Sequence, residues 1–421
     1  MRVYGSDPVL HRAAVSRNPL NPEEVLAEAQ RRLPETLELL ASLVETNSHA
    51  ENAEGVAACL SLLEPRLRAL GLETQVLEVP MPEPREAGSA PFRRHLLART
   101  PEPDRTRPTV LMSFHLDTVF PKDHGFQKLV ERSAERWRGP GVSDMKGGIV
   151  TGLLTLELLK GLGALGLAHW RFLLNTDEEL GSPTGMAALR KAADGVDLAL
   201  CFEAARPCGG LVVARKGLGA GRFIATGKSG HAGIAHDTGV NAFTSMARAV
   251  VAAEALEARF PGLTVSPGGK VAVGPVALNM IPDHAECELE WRFTELAVGE
   301  AVLEELGRIA GRVGAEAGAP VRFEGSLEAP PMAESARTKA VLEAYVGAAR
   351  DLGMNIQGVA TAGVGDMNHV SRMGALCLDG VGPEGGGFHT ENEYLVVDSL
   401  ARRAAMNVVG LSRYLGERER A

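Results

Sequence analysis

Cysteine is scarce and odd in number: Cys59, Cys201, Cys208, Cys287 and Cys377 are the five in the chain, and none falls in a CxxC spacing. Neither a disulfide framework nor a thiolate metal site follows from this, and a reducing, cytoplasmic setting is expected. Cys201 and Cys377 lie in apolar runs and are expected in a core, whereas Cys208 sits in a Pro/Gly-rich turn. Basic charge is also short, with 44 Lys and Arg against 53 Asp and Glu for a formal charge of -9. Phosphate backbones and anionic membranes need concentrated Lys and Arg, so neither nucleic acid nor membrane is expected as a partner. An acidic balance does suit a pocket for cations. No segment approaches the roughly 18 consecutive apolar residues of a bilayer span. Met1 to Arg17 lacks the apolar stretch and small-residue cleavage pattern of a secretory leader. Internal repeats and low-complexity tracts are missing as well.

What is present is a chain of 421 residues, too long for one ordinary core, so two domains are expected. Its 45% hydrophobic and 23% charged residues are those of a globular protein. Residues 1–32 read as a polar N-terminal extension, helical after Pro22. Glu35–Glu45 and Ala53–Leu70 carry apolar residues at helical spacing, and Thr74–Val79 alternates like a strand. Pro80–Pro91 reads as a loop and His95–Ala98 as a strand.

Thr109–Phe114, Trp170–Leu174 and Leu198–Phe202 are short continuous apolar runs, the pattern of strands buried on both faces. Helical patterns over Ile149–Leu159 and Thr184–Ala193 alternate with them. Such alternation predicts an α/β fold: a mostly parallel, mixed sheet flanked by helices. From about Lys216 the pattern becomes strand, helix, strand, strand, helix, strand (Arg222–Thr226, Val240–Leu256, Lys270–Val276, Ala285–Phe293, Gly299–Val313, Pro320–Glu324). That order suits a small antiparallel sheet with two helices on one face, an α+β, ferredoxin-like domain. Beyond the linker Ala329-Pro330-Pro331, helix Thr338–Leu352, strand Ala375–Leu378 and helix Ser399–Tyr414 resume the α/β alternation. The expected division is thus 33–215 with 327–421 for the first domain and 216–326 for an insertion.

Ligands of parallel sheets bind beyond the carboxyl ends of the strands. His115 follows one expected strand, Glu178 and Glu179 follow the next, and Glu203 follows the third. Asp144 precedes a helix in Gly141-Val142-Ser143-Asp144-Met145-Lys146-Gly147, and His389 lies in a late glycine-rich loop. Each has a bland reading alone: a chance HxD, a solvated helix start, a turn acid, a surface histidine. Together they gather imidazoles and carboxylates on one rim, a donor set that suits zinc, or manganese or cobalt in its place. Two histidines and two terminal carboxylates divide as one of each per metal, with one aspartate left to bridge. That is the composition of a two-metal site with ions about 3.5–4 Å apart. Asp117 is placed to accept the other ring N–H of His115 and fix its tautomer. Glu178, the acid left over, is the natural general base.

These motifs, with Thr176-Asp177-Glu178-Glu179-Leu180-Gly181-Ser182, Gly230-His231-Ala232-Gly233 and Asn279-Met280-Ile281-Pro282, span roughly residues 33–416. In this order the chain resembles the co-catalytic dizinc aminoacylase/carboxypeptidase family, with glutamate-releasing bacterial carboxypeptidases nearest in pattern. The resemblance implies a zinc-dependent hydrolase that cleaves an amide bond to a free amino acid, acting on small peptides or N-acyl amino acids. It implies two metal ions per chain, with Asp144 bridging, His115 and Glu203 on one ion, and Glu179 and His389 on the other. It implies Glu178 as base, and an inserted lid domain that often makes a homodimer. His231 would help hold the oxyanion, in similar enzymes from the partner subunit, and Asn279 with Arg292 would bind the substrate carboxylate. From the residues alone, His231 reads equally as a turn or capping histidine, and Arg292 as a solvated strand-end charge.

One departure stands out. Glutamate-releasing relatives carry a basic residue shortly after the Glu203 position, whereas here Pro207-Cys208-Gly209-Gly210-Leu211-Val212 holds no cation, although Arg206 is near. An apolar or small acyl-amino acid is then as good a substrate as one ending in glutamate. A dipeptidase or aminopeptidase of the same fold is the alternative. Such enzymes tend to carry Asp where this chain has Glu203. A catalytically silent metal-binding protein would have lost a ligand or Glu178, and none is lost.

Overall fold

The computed structural model describes residues 20–81, 92–101, 106–206, 208–275 and 277–418. Most of the expected loop Pro80–Pro91 and residues 1–19 of the expected extension lie outside the described residues. The chain divides into two compact units, one running up to Leu211 and resuming over Ala336–Gly358 and from Ala375, the other comprising Val212–Ser335 and Val359–Gly374.

The first unit begins with helix α1 (Pro22–Val44), where Pro22 takes the first position and the Asn21 side chain accepts from the Glu23 N–H. Both are strong start signals, and Glu23 and Glu24 add favourable charge at the positive end of the helix. The two stretches that read as separate on the sequence are one helix that runs through Pro34. Helix α2 (Ala53–Ala69) and the antiparallel pair β1 (Glu73–Pro80) and β2 (Phe92–Arg99) follow. Then come β3 (Thr109–His115), α3 (Lys146–Gly161), β4 (His169–Asn175), α4 (Gly185–Ala193) and β5 (Leu198–Cys201).

The second unit contains β6 (Gly217–Thr226), α5 (Ala242–Glu254), β7 (Thr264–Gly274), β8 (His284–Phe293), α6 (Leu296–Ala317) and β9 (Val321–Ala329). The chain returns to the first unit with α7 (Ala336–Asp351), β10 (Leu376–Asp379) and α8 (Val397–Arg418).

Within the first unit the strands lie in the order β1–β2–β4–β3–β5–β10. The pairs β3–β4, β3–β5 and β5–β10 are parallel, and β2 joins β4 antiparallel. This is the expected mixed, mostly parallel sheet flanked by helices. Helix α3 packs on β3 and against α1 and α8, and is buried almost all round, as its near-continuous apolar sequence requires. Cys201 and Cys377 are buried in the strands that pair as β5 and β10, and Cys208 is exposed.

The second unit orders its antiparallel strands β7–β8–β6–β9, with α5 and α6 packed against them around Trp291, Phe293, Phe223 and Leu306. Segment 359–374 belongs here through hydrogen bonds to the strand entry. Lys216 N donates to Thr361 O (3.1 Å), Arg215 Nη1 to Gly363 O (2.9 Å), and Asn368 Nδ2 to Lys216 O (2.9 Å). On the sequence this segment had been grouped with the other unit. It contains a short helix, Asp366–Arg372.

Among the described residues no helix is long and apolar enough to cross a membrane.

Candidate metal centre

The parallel register puts the ends of three neighbouring strands side by side: His115 pairs with Asn175, and Ser113 with Cys201. His115 is the last residue of β3. Glu178 and Glu179 open a single 3-10 turn just after β4, and Glu203 follows β5. The segment after β10 runs beside the Glu203 segment, with Gly382 N donating to Glu203 O (3.0 Å) and Ala205 N to Pro383 O (2.9 Å). It then delivers His389, which sits in the left-handed region at φ 60° among glycines. Asp144 lies on the loop that starts α3.

The structure brings His115, Asp144, Glu179, Glu203 and His389 together. The imidazole Nε2 of His115 lies 3.0 Å from Asp144 Oδ1 and 3.5 Å from Glu203 Oε1. His389 Nε2 lies 3.3 Å from Asp144 Oδ2 and 3.2 Å from Glu179 Oε2. Asp144 thus has one oxygen toward each histidine. Ligand atoms of His115, Asp144 and Glu179 all lie within 4.8 Å of one another.

The electrostatics of this cluster call for positive charge. Burial opposes a charge on His115, but the carboxylates of Asp117 and Asp144 outweigh it and hold its pKa well above the usual imidazole value. His389 is pushed up to about 9 by its hydrogen bond to Asp144. Burial also opposes ionisation of Asp144, yet the two imidazoles overcome it and keep the carboxyl below its normal range. Glu179 is raised to about 7, chiefly by burial. Protons on two histidines thus balance acids that lie too close together to ionise unaided. Divalent cations would balance the same acids, and nitrogen and oxygen donors without thiolate suit zinc.

Asp117 does more than was expected of it. The ring N–H at His115 Nδ1 is nearest the Asp117 backbone carbonyl (3.1 Å), with the carboxylate 3.6 Å away. The carboxylate oxygens instead accept the backbone N–H groups of Glu178 (3.1 Å) and Glu179 (2.9 Å). One buried acid therefore orients both the histidine and the turn that carries the two glutamates. That turn is held from behind by Asp177, which accepts from Thr184 N (3.0 Å), Thr184 Oγ1 (2.5 Å) and Gly185 N (2.9 Å). Thr184 in turn meets His95 Nε2 at 2.9 Å.

His231, Asn279 and Arg292 lie in the second unit. His231 faces Met280 in a two-stranded ribbon, and Ala232 N donates to Asn279 O (2.8 Å). His231 Nδ1 accepts from Gly233 N (3.2 Å) and Ile234 N (3.3 Å), so it caps its own turn and carries its proton on Nε2. Arg292, near the end of β8, grips Glu290 with Nε (2.8 Å) and Nη2 (3.3 Å) and donates from Nη1 to Ala362 O (2.7 Å).

Sequence reasoning missed Glu393, which is 1% exposed. Its carboxylate accepts the backbone N–H groups of Gly141 (2.9 Å), Ser143 (2.9 Å) and Asp144 (3.0 Å). Burial raises its pKa to about 7, against the pull of those three donors. The only sequence signal was an acid in a polar turn shortly after His389.

Imidazoles and carboxylates converging at the strand ends of a mixed α/β sheet form a candidate metal centre. Residues 111–408 match peptidase family M20/M25/M40, and the chain belongs to that family. Carboxypeptidase G2 of Pseudomonas sp. (strain RS-16) is 26% identical over 383 residues, covering 89% of this chain and 88% of that protein. Among solved structures, a tripeptidase of Staphylococcus aureus superposes with a TM-score of 0.74 at 20% identity, covering 91% of this chain and 99% of that one. A dinuclear metal-binding M20 peptidase of Bacillus subtilis gives 0.64 at 18% identity, covering 90% and 98%.

Proposed function

We propose that the chain is a zinc-dependent hydrolase that cleaves an amide bond to release a free amino acid, as a carboxypeptidase or N-acyl-amino-acid amidase. One observation carries the reading: Asp144 presents one oxygen to His115 and the other to His389, with Glu203 and Glu179 beside those two histidines. The likeness to carboxypeptidase G2 supports the carboxypeptidase direction. His115 and Glu203 would hold one divalent ion and Glu179 and His389 a second, with Asp144 shared. Zinc is favoured, and cobalt or manganese can take its place. When bound, such ions polarise a carbonyl and lower the pKa of water toward ~7.

Glu178 is the base in this reading. It takes a proton from the attacking water and returns it to the leaving amine. Asp117 fixes the backbone from which Glu178 projects. Arg292 and Asn279 bind the substrate carboxylate, and His231 donates from Nε2 to the developing oxyanion. A cytoplasmic homodimer formed through the second unit completes the proposal. A single monomeric species in sedimentation velocity would remove the dimer.

The test is a panel of N-acyl amino acids beside the matching free dipeptides, assayed with zinc, cobalt and manganese. Faster turnover of the blocked substrates is expected. Activity confined to substrates with a free ammonium would favour a dipeptidase or aminopeptidase instead.

A further inference from the structure

Two loops meet at the metal centre as they leave a small antiparallel sheet in which Arg136–Arg138 pairs with Tyr394–Val396, and beyond that pairing the Glu393 side chain ties them together. Residues 139–144 carry Asp144, and residues 387–393 carry His389. Glu393 is bonded to both through every polar group it has. Its N–H donates to Thr390 O (3.1 Å), inside the turn that holds His389. Its carbonyl accepts from Gly139 N (3.3 Å), and its carboxylate takes the N–H groups of Gly141, Ser143 and Asp144. The short strand that leads into the second loop is also in close steric contact with the first loop: a Cβ on Gly385 would stand 2.0 Å from Ser143 Oγ.

A carboxylate in a residue that is 1% exposed is costly to bury, and among the described residues no cation side chain is hydrogen-bonded to this one. Three convergent backbone donors compensate it, as an anion is compensated in a backbone nest. The donors cannot turn away without unpairing the acid, so the charge locks the loop backbone at the residue whose side chain faces both histidines.

We propose that Glu393 is a positioning residue that sets the spacing between Asp144 and His389, and with it the affinity of the ion those two would share with Glu179. The other ion's own donors, His115 and Glu203, stand next to the ends of paired strands, and that ion meets this bond only through the shared Asp144. The proposal rests on the two-metal reading above.

It is tested by calorimetric titration of metal-free protein with Zn2+, together with circular dichroism of the metal-free state. Wild-type protein is expected to bind two equivalents. Glu393→Gln keeps the size of the side chain but turns an amide N–H toward backbone N–H groups. Glu393→Ala removes the acceptors altogether. Both variants should keep the wild-type metal-free spectrum and should still bind the first equivalent, weakened less than the second. The second equivalent should weaken by about 10- to 100-fold, the usual cost of losing a group that orients a ligand. With saturating zinc, kcat should fall little, and at limiting zinc it should fall steeply. Two equivalents at wild-type affinity in either folded variant would overturn the proposal. Equal weakening of both equivalents, or loss of the folded metal-free state, would make Glu393 a general stabiliser and overturn it too. Fewer than two equivalents in the wild type would instead refute the two-metal reading itself.

Discussion

Glu178 and Glu179 are neighbours in one short turn, yet they are given different work. Glu179 Oε2 lies 3.2 Å from His389 and belongs to the cluster, whereas Glu178 is fixed through its backbone by Asp117. Replacing Glu178 by Gln removes a proton acceptor and no proposed ligand. Turnover should fall by about 10²- to 10⁴-fold while two equivalents of zinc still bind. Near-normal turnover in that variant would discard Glu178 as base. Arg292 poses a different question, because its guanidinium already holds a carboxylate, that of Glu290, in a forked grip. The geometry suits a substrate carboxylate equally well. Arg292→Ala should raise KM by about tenfold or more, since charged hydrogen bonds contribute roughly 1.5–3 kcal/mol, and leave kcat nearly unchanged. A change in kcat alone would argue against a binding role.

Among the elements, α3 closely approaches the chain leaving β5 near the centre. A Cβ on Gly148 would lie 2.0 Å from the Phe202 carbonyl oxygen, and backbone cannot swing aside as a side chain can. Gly148→Ala should therefore destabilise the protein by about 1–3 kcal/mol, read as a lower urea midpoint. An unchanged midpoint would show that the helix can shift freely.

Element-level reading succeeded where the local pattern decided the outcome. The apolar runs Thr109–Phe114 and Trp170–Leu174 are strands β3 and β4, buried along nearly their whole length. It failed where distant packing decided. Gly217-Leu218-Gly219-Ala220-Gly221 lacks the side chains of a strand, yet β6 begins at Gly217. A Cβ at Gly217 would lie 2.3 Å from the Phe293 ring, and one at Gly219 2.1 Å from Trp291, so the glycines make room for aromatics of the neighbouring strand. Glu393 escaped for a related reason: its partners are some 250 positions earlier, and no local period records them. The split placed between residues 32 and 35 reflects Pro34, which normally stops a helix and here lies inside one. The histidines and acids of the centre were legible because each falls at the end of a recognisable strand or in a motif loop.

At the scale of the whole molecule, the metal centre concentrates negative charge in a chain already at a formal -9. Cations that bind the folded state and not the unfolded one raise stability by mass action, by about 2.7 kcal/mol at a hundredfold excess over Kd. Chelation should therefore lower the melting temperature by several degrees, and added zinc should restore it. Identical melting curves with chelator and with zinc would mean that no ion is bound tightly. The most direct measurement is anomalous scattering at the zinc edge from crystals grown with zinc. Two peaks are expected, one beside His115 and Glu203 and one beside Glu179 and His389, with Asp144 touching both. A single peak, or zinc bound anywhere but among these five side chains, would contradict a paired-cation centre.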